Sequence, residues 1–481
     1  MTTTAEAGAW RGVRRGSVSV FRGIRYATAD RFAPPQRTDR PAAPADATQP
    51  GPIAPQSPSR LAAVMGEAVA LPQSEDCLRL TVTTPDPGAR DGLPVLVWIH
   101  GGAYLSGSGE WNVYSGERLS AEGSVVVVSV SYRLGALGFL RAPGIAEGNL
   151  GLYDQIAALE WVQDNIPEFG GDPARVTVAG QSAGAQSAAA LLGVEGANRA
   201  FGRAVLQSAP MGLGFGSHRR AERVGKFFLD ELGEDPHSAP VGAILAAQGK
   251  TSRRYSGPLG LRVAPAFFPV VDAGPIPTLS DWGRAVDRRA CAGLDVILGT
   301  TENEMKAFRA LHPVFRRLRR IPLVGGPIAD LVERLEQNAL FDSGTWAFAD
   351  RLVRAGAQVY PYRLAALDPR APFGATHCID LPLLLGDEDA WRSAPMLRNT
   401  PAERVESAGT RLRASWSQFV GTGVPHDERW RRHIPGARTA HRFPEIGRRA
   451  SRGSPGSSPS PIAVSEPAAT AQERCAAEER S

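Results

Sequence analysis

The 481-residue chain has few lysines, few cysteines and no long apolar run, and the last two shortages each exclude a class of protein. Only three of its 54 basic residues are lysine (Lys226, Lys250 and Lys306), and no nucleic-acid-binding motif accompanies the arginines. The four cysteines lie far apart and none belongs to a CxxC pair, so neither a zinc site nor a disulfide framework is expected. No run approaches the roughly 18 apolar residues that a membrane span needs.

The beginning of the chain and its charge narrow the class further. The first 20 residues lack the apolar stretch of about 7–15 residues that marks a secretory signal. We therefore expect a cytoplasmic protein without membrane or nucleic-acid partners. Hydrophobic residues make up 43% of the chain and the net charge is +5, which is typical of a globular protein. The arginine-rich segment 315–320 leaves two interpretations open: a solvated helix face, which we favour, and a contact with an anionic partner.

Apolar runs alternate with helical stretches along the chain. Segments 95–99 and 125–131 are continuous and rich in β-branched residues, which is typical of strands buried on both faces. This alternation predicts an α/β fold with a mostly parallel central sheet flanked by helices. Further strands are predicted over 78–84, 175–180, 203–208, 294–299 and 357–364, and helices over 154–166, 182–193 and 220–232.

The composition along the chain favours one catalytic domain over residues 1–447. Turn-rich pieces between about 233 and 293 indicate a cap-like excursion from the sheet. After residue 447 serine, proline, alanine and charged residues dominate, and apolar periodicity disappears. Such a segment buries too little surface to offset its ordering entropy, so we expect residues 448–481 to form a disordered tail.

The strongest motif is Gly180-Gln181-Ser182-Ala183-Gly184, which lies between a predicted strand and a helix of small residues. In such a nucleophile elbow, a tight turn lifts the serine hydroxyl off the sheet edge. Side chains two positions before and after the serine would collide with neighbouring backbone, which explains the two glycines. The helix N-terminus also directs free N–H groups towards the hydroxyl. We predict that Ser182 is a nucleophile, and a nucleophilic serine needs a base to take its proton.

A second glycine-rich turn, His100-Gly101-Gly102-Ala103-Tyr104, directly follows a predicted buried strand. Backbone amides in such a turn face a ligand without obstruction by side chains. Acyl transfer requires N–H donors that are preset for the oxyanion of the tetrahedral intermediate. The turn therefore predicts an oxyanion hole beside the elbow.

With these motifs in this order, the chain resembles the type-B carboxylesterases, an α/β-hydrolase family that includes cholinesterases and bacterial p-nitrobenzyl esterases. The resemblance is dense over about 21–210 and traceable to about 425. It implies an α/β-hydrolase fold and a serine carboxylesterase that hydrolyses carboxylic esters through an acyl-enzyme. The matching segments are FRGIRYA (21–27), RFAPPQ (31–36), SEDCLRL (74–80), PVLVWIHGGAYLSGSG (94–109), VVVVSVSYRLGALGFL (125–140), GNLGLYDQIAALEWVQDNIPEFGGDPARVTVAGQSAGA (148–185) and RAVLQSA (203–209).

The resemblance implies a catalytic triad of Ser182, Glu304 and His377. The acid stands where the family has G-T-T-x-D-E-G, which is GTTENEM at 299–305 here. The base stands where the family has G-A-x-H-x-x-D-L, which is GATHCIDL at 374–381. The order of serine, acid and histidine along the chain is that of α/β hydrolases.

Three residues beside the implied triad depart from the family pattern. Asn303 and Met305 stand where the family has Asp and Gly, and Cys378 stands where Gly is usual. If the glycine that Met305 replaces has a positive φ, methionine strains the turn, and we regard this departure as the more serious one. Glu302 is the only close alternative to Glu304 as the acid.

The resemblance also implies the other parts of the site. The oxyanion donors are the backbone N–H groups of Gly102, Ala103 and Ala183. The reaction needs no metal or organic cofactor, and its partner is a small-molecule ester, with short acyl or aryl groups expected. We expect the substrate pocket to be lined by the side chains of Tyr104, Leu105, Met211 and Met305.

Two alternatives stay open, and the oligomeric state is not predicted. One alternative is hydrolysis of amides, thioesters or carbamates by the same fold. The other is a catalytically silent protein, because Met305 and Cys378 adjoin the implied triad and the segment after Trp430 differs from the strand and helix expected to close the sheet. An interfacial lipase would require an exposed apolar lid, which the sequence alone does not identify.

Overall fold

A computed structural model describes residues 3–89 and 92–444, in which helices flank a sheet of twelve strands. The predicted tail, 448–481, lies outside the described residues. The strands are β1 (Thr3–Ala7), β2 (Trp10–Arg15), β3 (Val18–Arg25), β4 (Ala27–Thr28), β5 (Gln36–Arg37), β6 (Ala45–Asp46), β7 (Arg79–Thr84), β8 (Leu93–Ile99), β9 (Val126–Val130), β10 (Arg141–Ala142), β11 (Ala146–Glu147), β12 (Gly171–Gln181), β13 (Arg203–Gln207), β14 (Asp295–Thr301), β15 (Gln358–Leu364) and β16 (His441–Phe443).

The helices lie mainly between the strands of the second half of the sheet. Short 3₁₀ or π turns add Asn112–Tyr114, Ile166–Phe169, Ala197–Arg199, Met211–Leu213, Asn338–Asp342 and Pro395–Leu397. The α-helices are α1 (Ala62–Met65), α2 (Glu117–Gly123), α3 (Gly135–Phe139), α4 (Leu150–Asn165), α5 (Ala183–Leu192), α6 (His218–Leu232), α7 (Val241–Ser256), α8 (Leu279–Cys291), α9 (Lys306–Arg309), α10 (Pro313–Leu318), α11 (Gly325–Gln337), α12 (Ser343–Arg354), α13 (Leu381–Leu384), α14 (Glu388–Trp391) and α15 (Ala402–Thr422).

The sheet is antiparallel at one end, apart from the short parallel pair of β2 with β6, and parallel through the rest. Its order is β1-β2-β3-β7-β9-β8-β12-β13-β14-β15-β16, with β6 beside β2. Every pairing from β9 to β16 is parallel, so the carboxyl ends of β12, β14 and β15 meet at one edge. The loops that follow these three strands carry the predicted nucleophile, acid and base. The predicted α/β fold with a mostly parallel sheet is confirmed.

Strand β8 shows why the buried strands read as unbroken apolar runs. Successive side chains point to opposite faces. Val95, Val97 and Ile99 enter the core beneath α4 and α5, whereas Leu96 and Trp98 enter the core on the α15 side. Helices cover both faces, so no position of the strand is left for a polar residue.

The segment 233–293 is more regular than its turn-rich composition indicated. It contains α7 and α8, and its irregular parts are 233–240, 257–278 and the turn at 292–293. Helix α8 begins after Thr278, whose side chain accepts a hydrogen bond from the Asp281 N–H at 3.2 Å. That capping pattern is readable in the sequence and marks a helix start that was not predicted. The division into a single domain with a cap stays a prediction.

The segment after Trp430 does close the sheet, contrary to the expectation drawn from its sequence. Strand β16 pairs in parallel with β15, and Phe443 lies opposite Leu364. Trp430 is 4% exposed, and its indole N–H donates to the Pro361 carbonyl at 2.9 Å. A strand of three residues is too short to show alternation, so its pattern could not be recognised. Within the described residues, none of the helices combines the length and apolar character needed to cross a bilayer.

Candidate active site

Ser182 lies in the turn between β12 and α5, in a backbone conformation that is rare for a residue with a side chain. Its φ is 57° and its ψ is −121°, which costs about 1–3 kcal/mol and persists only when the surroundings impose it. A Cβ on Gly180 would lie 2.5 Å from the carbonyl carbon of Gly184. A Cβ on Gly184 would lie 1.9 Å from the Ile99 oxygen. Both glycines are therefore required by close backbone packing, as the sequence indicated.

Three side chains form an unbroken chain of hydrogen bonds at the end of the sheet. The Ser182 hydroxyl lies 2.8 Å from His377 Nε2, and His377 Nδ1 lies 2.5 Å from Glu304 Oε2. His377 and Glu304 are fully buried, and Ser182 is half-buried. Because an ionised carboxylate can only accept, Nδ1 donates to Glu304 and Nε2 is left to accept from the serine. This is the tautomer that a general base beside a serine requires.

The main chain and Gln337 fix the orientation of Glu304. The second carboxylate oxygen accepts from the Thr301 N–H at 2.7 Å, and the Glu304 N–H donates to Gln337 Oε1 at 3.1 Å. Gln337 also donates to the Thr301 carbonyl at 3.2 Å. The alternative acid, Glu302, pairs instead with Arg442 at 2.6 Å. The structure thus brings Glu304, and not Glu302, to His377.

Among the residues that depart from the family pattern, the backbone strain lies at Cys378 and not at Met305, where it was expected. Met305 has φ −73°, an ordinary helical value, so the expected strain at Met305 is wrong. Cys378 has φ 72°, in the left-handed region that favours glycine. Asn303 joins the acid loop to the base loop: its Oδ1 accepts from the Ala375 N–H at 3.1 Å, and its own N–H donates to the Ala375 carbonyl at 2.8 Å.

The turn after β8 places free backbone donors beside Ser182. Gly102 and Ala103 have φ values of 105° and 56°, and both are half-buried. A Cβ on Gly101 would lie 3.2 Å from the Ser182 Cβ, which places this turn against the elbow. Within residues 3–89 and 92–444, the N–H groups of Gly102, Ala103 and Ala183 donate to no backbone or side-chain acceptor. Unpaired donors are rare inside proteins, and three together suit an anionic oxygen.

Known proteins similar to this chain identify its family. The carboxylesterase family model matches residues 2–314. The chain belongs to the carboxylesterase family. Over 441 residues it is 52% identical to a probable N-octanoylanthranilate hydrolase of Rhodococcus erythropolis, which covers 92% of this chain and 97% of that protein. Over 463 residues it is 32% identical to the para-nitrobenzyl esterase of Bacillus subtilis, which covers 88% and 90% of the two chains.

A solved structure supports the same conclusion for the fold. The crystal structure of the Geobacillus stearothermophilus carboxylesterase Est55 at pH 6.2 superposes with a TM-score of 0.76 and 28% identity, and the match covers 92% of this chain and 96% of that one. This carboxylesterase therefore has the α/β-hydrolase fold and is a serine hydrolase of carboxylic esters. The family, the fold and the reaction class predicted from the sequence are confirmed.

A cavity of about 630 Å³ opens onto Ser182 in this carboxylesterase. Among the four predicted pocket residues, Tyr104 and Leu105 line it. Met211 and Met305 do not belong to its lining, and this part of the prediction is wrong. Met211 packs against the start of α12, and Met305 is 1% exposed at the start of α9. Sequence reasoning missed several lining residues, which come from distant segments: Met65, Trp111, Leu213, Phe308 and Phe341.

Two of the missed residues enclose the base. The rings of Phe308 and Phe341 each lie 5.3 Å from the His377 ring. They exclude water from one side of the imidazole, which strengthens its hydrogen bond to Glu304. No spacing in the sequence links either phenylalanine to the histidine, so neither had a signal that could be read.

His100 supports the turn that carries the free donors. Its ring stacks on Tyr132 with a centroid distance of 4.4 Å, and its Nδ1 lies 2.8 Å from the Gly101 carbonyl. Burial lowers the pKa of His100 to about 4, so the imidazole is neutral and Nδ1 donates. The contact fixes the Gly101 carbonyl, and the following amides are free to face the cavity.

A second buried carboxylate lies beneath His377. Asp380 is fully buried, and one of its oxygens accepts from Gln207 Nε2 at 2.6 Å. Gln207 Oε1 in turn accepts from the Trp416 indole at 3.2 Å. The other carboxylate oxygen has no hydrogen-bond partner within the described residues. Burial is the main reason that the pKa of Asp380 rises to about 6.

Proposed function

We propose that this carboxylesterase hydrolyses its substrates by acyl transfer to Ser182, with His377 as the base and Glu304 as the residue that orients His377. The observation that carries the proposal is the continuous path from the Ser182 hydroxyl through His377 to Glu304, at 2.8 and 2.5 Å. The strained elbow and the three free N–H groups support it, because both are costly to maintain without a function.

The reaction follows from which atoms carry protons. His377 Nε2 takes the proton of Ser182 as the serine oxygen attacks the ester carbonyl, and the resulting imidazolium is stabilised by the ionised Glu304. The amides of the turn and the elbow hold the oxyanion. Collapse of the intermediate expels the alcohol, which takes the proton from His377. Water then attacks the acyl-enzyme with the same base, and the acid is released with Ser182 restored.

The cavity favours an apolar acyl or aryl group on the substrate. Leu105, Leu213 and Phe341 are among the apolar side chains that line it. Two cationic residues, Arg60 and Arg253, also line it, and neither has an ion-pair partner within the described residues. A substrate that joins an aliphatic acyl chain to an aryl group with a carboxylate would use both features.

The combination of an apolar lining with two arginines in the cavity favours a second candidate activity, hydrolysis of an N-acyl aryl amide. The relative that is 52% identical is called a probable N-octanoylanthranilate hydrolase, and that compound is an octanoyl amide of a carboxylated aryl amine. The same acyl-enzyme chemistry applies, with protonation of the leaving amine by His377 as the additional requirement. The silent alternative lacks support, because the departures at Met305 and Cys378 leave the hydrogen-bond path intact.

One set of assays tests both activities. Purified wild type and Ser182→Ala are compared on p-nitrophenyl butyrate and on N-octanoylanthranilate, with a phosphonate adduct detected by intact mass. We expect wild type to turn over the ester and form one adduct, and the variant to do neither. A folded wild type that forms no adduct would overturn the proposed nucleophile.

The amide candidate has its own control. Arg60→Gln and Arg253→Gln should weaken hydrolysis of N-octanoylanthranilate and leave hydrolysis of neutral N-octanoylaniline unchanged. Equal effects on the two amides would show that the arginines do not bind the substrate carboxylate. Absence of amide turnover in wild type would leave ester hydrolysis as the remaining activity. The single-domain organisation and the cytoplasmic location stay predictions.

A further inference from the structure

Residues 311–335 carry exposed apolar side chains that no other described residue covers. Leu323 is 96% exposed and Leu335 is 62% exposed. Isolated exposed hydrophobic residues are common on protein surfaces, but a concentration of them marks an interaction site. We call this group the apolar patch: Leu311, Ile321, Leu323, Val324, Ile328, Leu331 and Leu335.

Helix α11 within this stretch has its two faces reversed. Ile328, Leu331 and Leu335 recur at spacings of three and four residues, which places them along one side, and this side faces solvent. The opposite side is buried, and it carries the polar residues Glu333 and Gln337 together with the small residues Gly325 and Ala329. A helix on the surface of a globular protein normally buries its apolar side. The arrangement therefore leaves an apolar helix face without a partner.

The same stretch carries arginines whose positive charge no described residue neutralises. Its acidic residues are already paired: Asp330 and Glu333 with Arg319, and Glu336 with Arg309. The remaining arginines have no ion-pair partner in the part of the chain that the structure describes, and guanidinium groups are well suited to phosphate. These free arginines are Arg316, Arg317, Arg320 and Arg334.

The stretch is continuous with the wall of the substrate cavity. It begins shortly after Phe308 and ends shortly before Phe341, and both of these phenylalanines line the cavity. Arg309 donates to the Leu261 carbonyl at 2.7 Å, which ties the start of the stretch to another segment beside the cavity. Both ends of the stretch therefore adjoin residues that form the wall of the substrate cavity.

We propose that the apolar patch and the four free arginines dock this carboxylesterase on a bilayer that contains anionic phospholipids. The aliphatic side chains enter the headgroup region, and the guanidinium groups contact phosphates. This attachment is interfacial and is not a membrane span. It departs from the sequence-based expectation of no membrane partner, and it selects the anionic partner as the interpretation of segment 315–320. A second copy of the chain fits less well, because a two-fold interface would place this positively charged surface against its own copy.

The first test is co-sedimentation of the full chain with lipid vesicles. One set contains phosphatidylcholine alone, and the other contains phosphatidylcholine mixed with phosphatidylglycerol. We expect the protein to sediment with the mixed vesicles, to stay in solution with the neutral ones, and to be released as salt screens the charges. Absence of binding to the mixed vesicles at low salt would overturn the proposal.

Matched variants distinguish binding through the apolar patch and its arginines from non-specific hydrophobic or electrostatic binding. Each arginine removed should weaken binding roughly fivefold, and loss of the leucines should abolish it. The controls change exposed residues of the same kinds elsewhere and should bind like wild type. The patch variants are Leu323→Ser with Leu331→Ser and Leu335→Ser, and Arg316→Gln with Arg317→Gln and Arg320→Gln. The controls are Leu279→Ser with Val424→Ser and Ile434→Ser, and Arg14→Gln with Arg398→Gln and Arg411→Gln.

The remaining outcomes decide between partners. Equal loss of binding in the patch and control variants would overturn the proposal. So would self-association in sedimentation velocity that the leucine variant removes, if wild type binds no vesicles. Turnover of p-nitrophenyl butyrate and circular dichroism report folding in every variant. If the leucine variant does not fold, the arginine variant and the salt dependence decide.

Discussion

Replacement of Glu304 by glutamine is the sharpest test of the proposed triad. Glutamine has the same shape, so its carbonyl oxygen still accepts from the Thr301 N–H, which lies 2.7 Å from the present carboxylate oxygen. Its NH₂ group then faces His377 Nδ1 and can only donate. This places the imidazole proton on Nε2, and a protonated Nε2 cannot accept the proton of Ser182. The variant keeps the geometry and has the wrong tautomer.

The expected loss is large and falls on kcat. A wrong tautomer beside a serine nucleophile lowers kcat on the order of 10⁴-fold, which corresponds to about 5.4 kcal/mol of activation free energy. KM should change little, because Glu304 is fully buried behind His377 and does not face the cavity. The assay is the steady-state hydrolysis of p-nitrophenyl butyrate, with circular dichroism as the check on folding.

The neighbouring carboxylate provides a matched control. Glu302→Gln makes the same chemical change two residues away, at a side chain that is 28% exposed and paired with Arg442. Exposed ion pairs contribute little, so its kcat should stay within about twofold of wild type. A folded Glu304→Gln protein that keeps more than about a tenth of wild-type kcat would refute the reasoning, as would equal losses in the two variants.

Three further predictions test the surroundings of the site. Burial raises the pKa of Asp380 in the folded protein to about 6, above its unfolded value, so wild type loses stability as pH rises from about 4 to about 6. Asp380→Asn should therefore raise the free energy of unfolding in urea by up to about 3 kcal/mol at pH 8 and leave it unchanged near pH 4. Cys378 is 3% exposed, and burial raises the pKa of its thiol well above the usual range, so brief N-ethylmaleimide treatment should not reduce activity; rapid inactivation that Cys378→Ser prevents would contradict this. Trp430→Ala removes a buried ring that packs 5.5 Å from Trp416 and should cost about 3–5 kcal/mol in thermal or urea unfolding while Ser182 still forms its phosphonate adduct.

The parts of the fold that could be predicted are those with a local physical signature. Val95 to Ile99 form an unbroken apolar run because helices cover both faces of β8, and such a run is visible without a structure. The elbow is visible because Gly180 and Gly184 leave no space for a Cβ. Phe308 and Phe341 lie against His377 only because three loops meet at one sheet edge, and no local pattern reports that meeting.

The backbone conformation at a position where another residue replaces glycine could not be predicted from the sequence either. The sequence shows that Met305 and Cys378 replace glycines, but a replaced glycine no longer tells which φ the position requires. Of these two residues, Cys378 has a positive φ and Met305 does not. The polar residue Gln337 was missed for a related reason. It lies on the buried side of a helix whose leucines face solvent, and periodicity alone assigns that helix the opposite orientation.

The departures from the family pattern do not disturb the path from Ser182 to Glu304, because other contacts hold the two loops together. Asn303 bonds to both the N–H and the carbonyl of Ala375, so the acid loop and the base loop form one unit two residues from His377. An aspartate at this position would supply the same acceptor, which explains why asparagine is tolerated. The strain at Cys378 is then a cost in folding free energy and not in the alignment of the base. Stability and catalysis can therefore be changed separately at these positions, since Asn303 fixes the distance between the two loops, whereas the positive φ of Cys378 costs folding free energy.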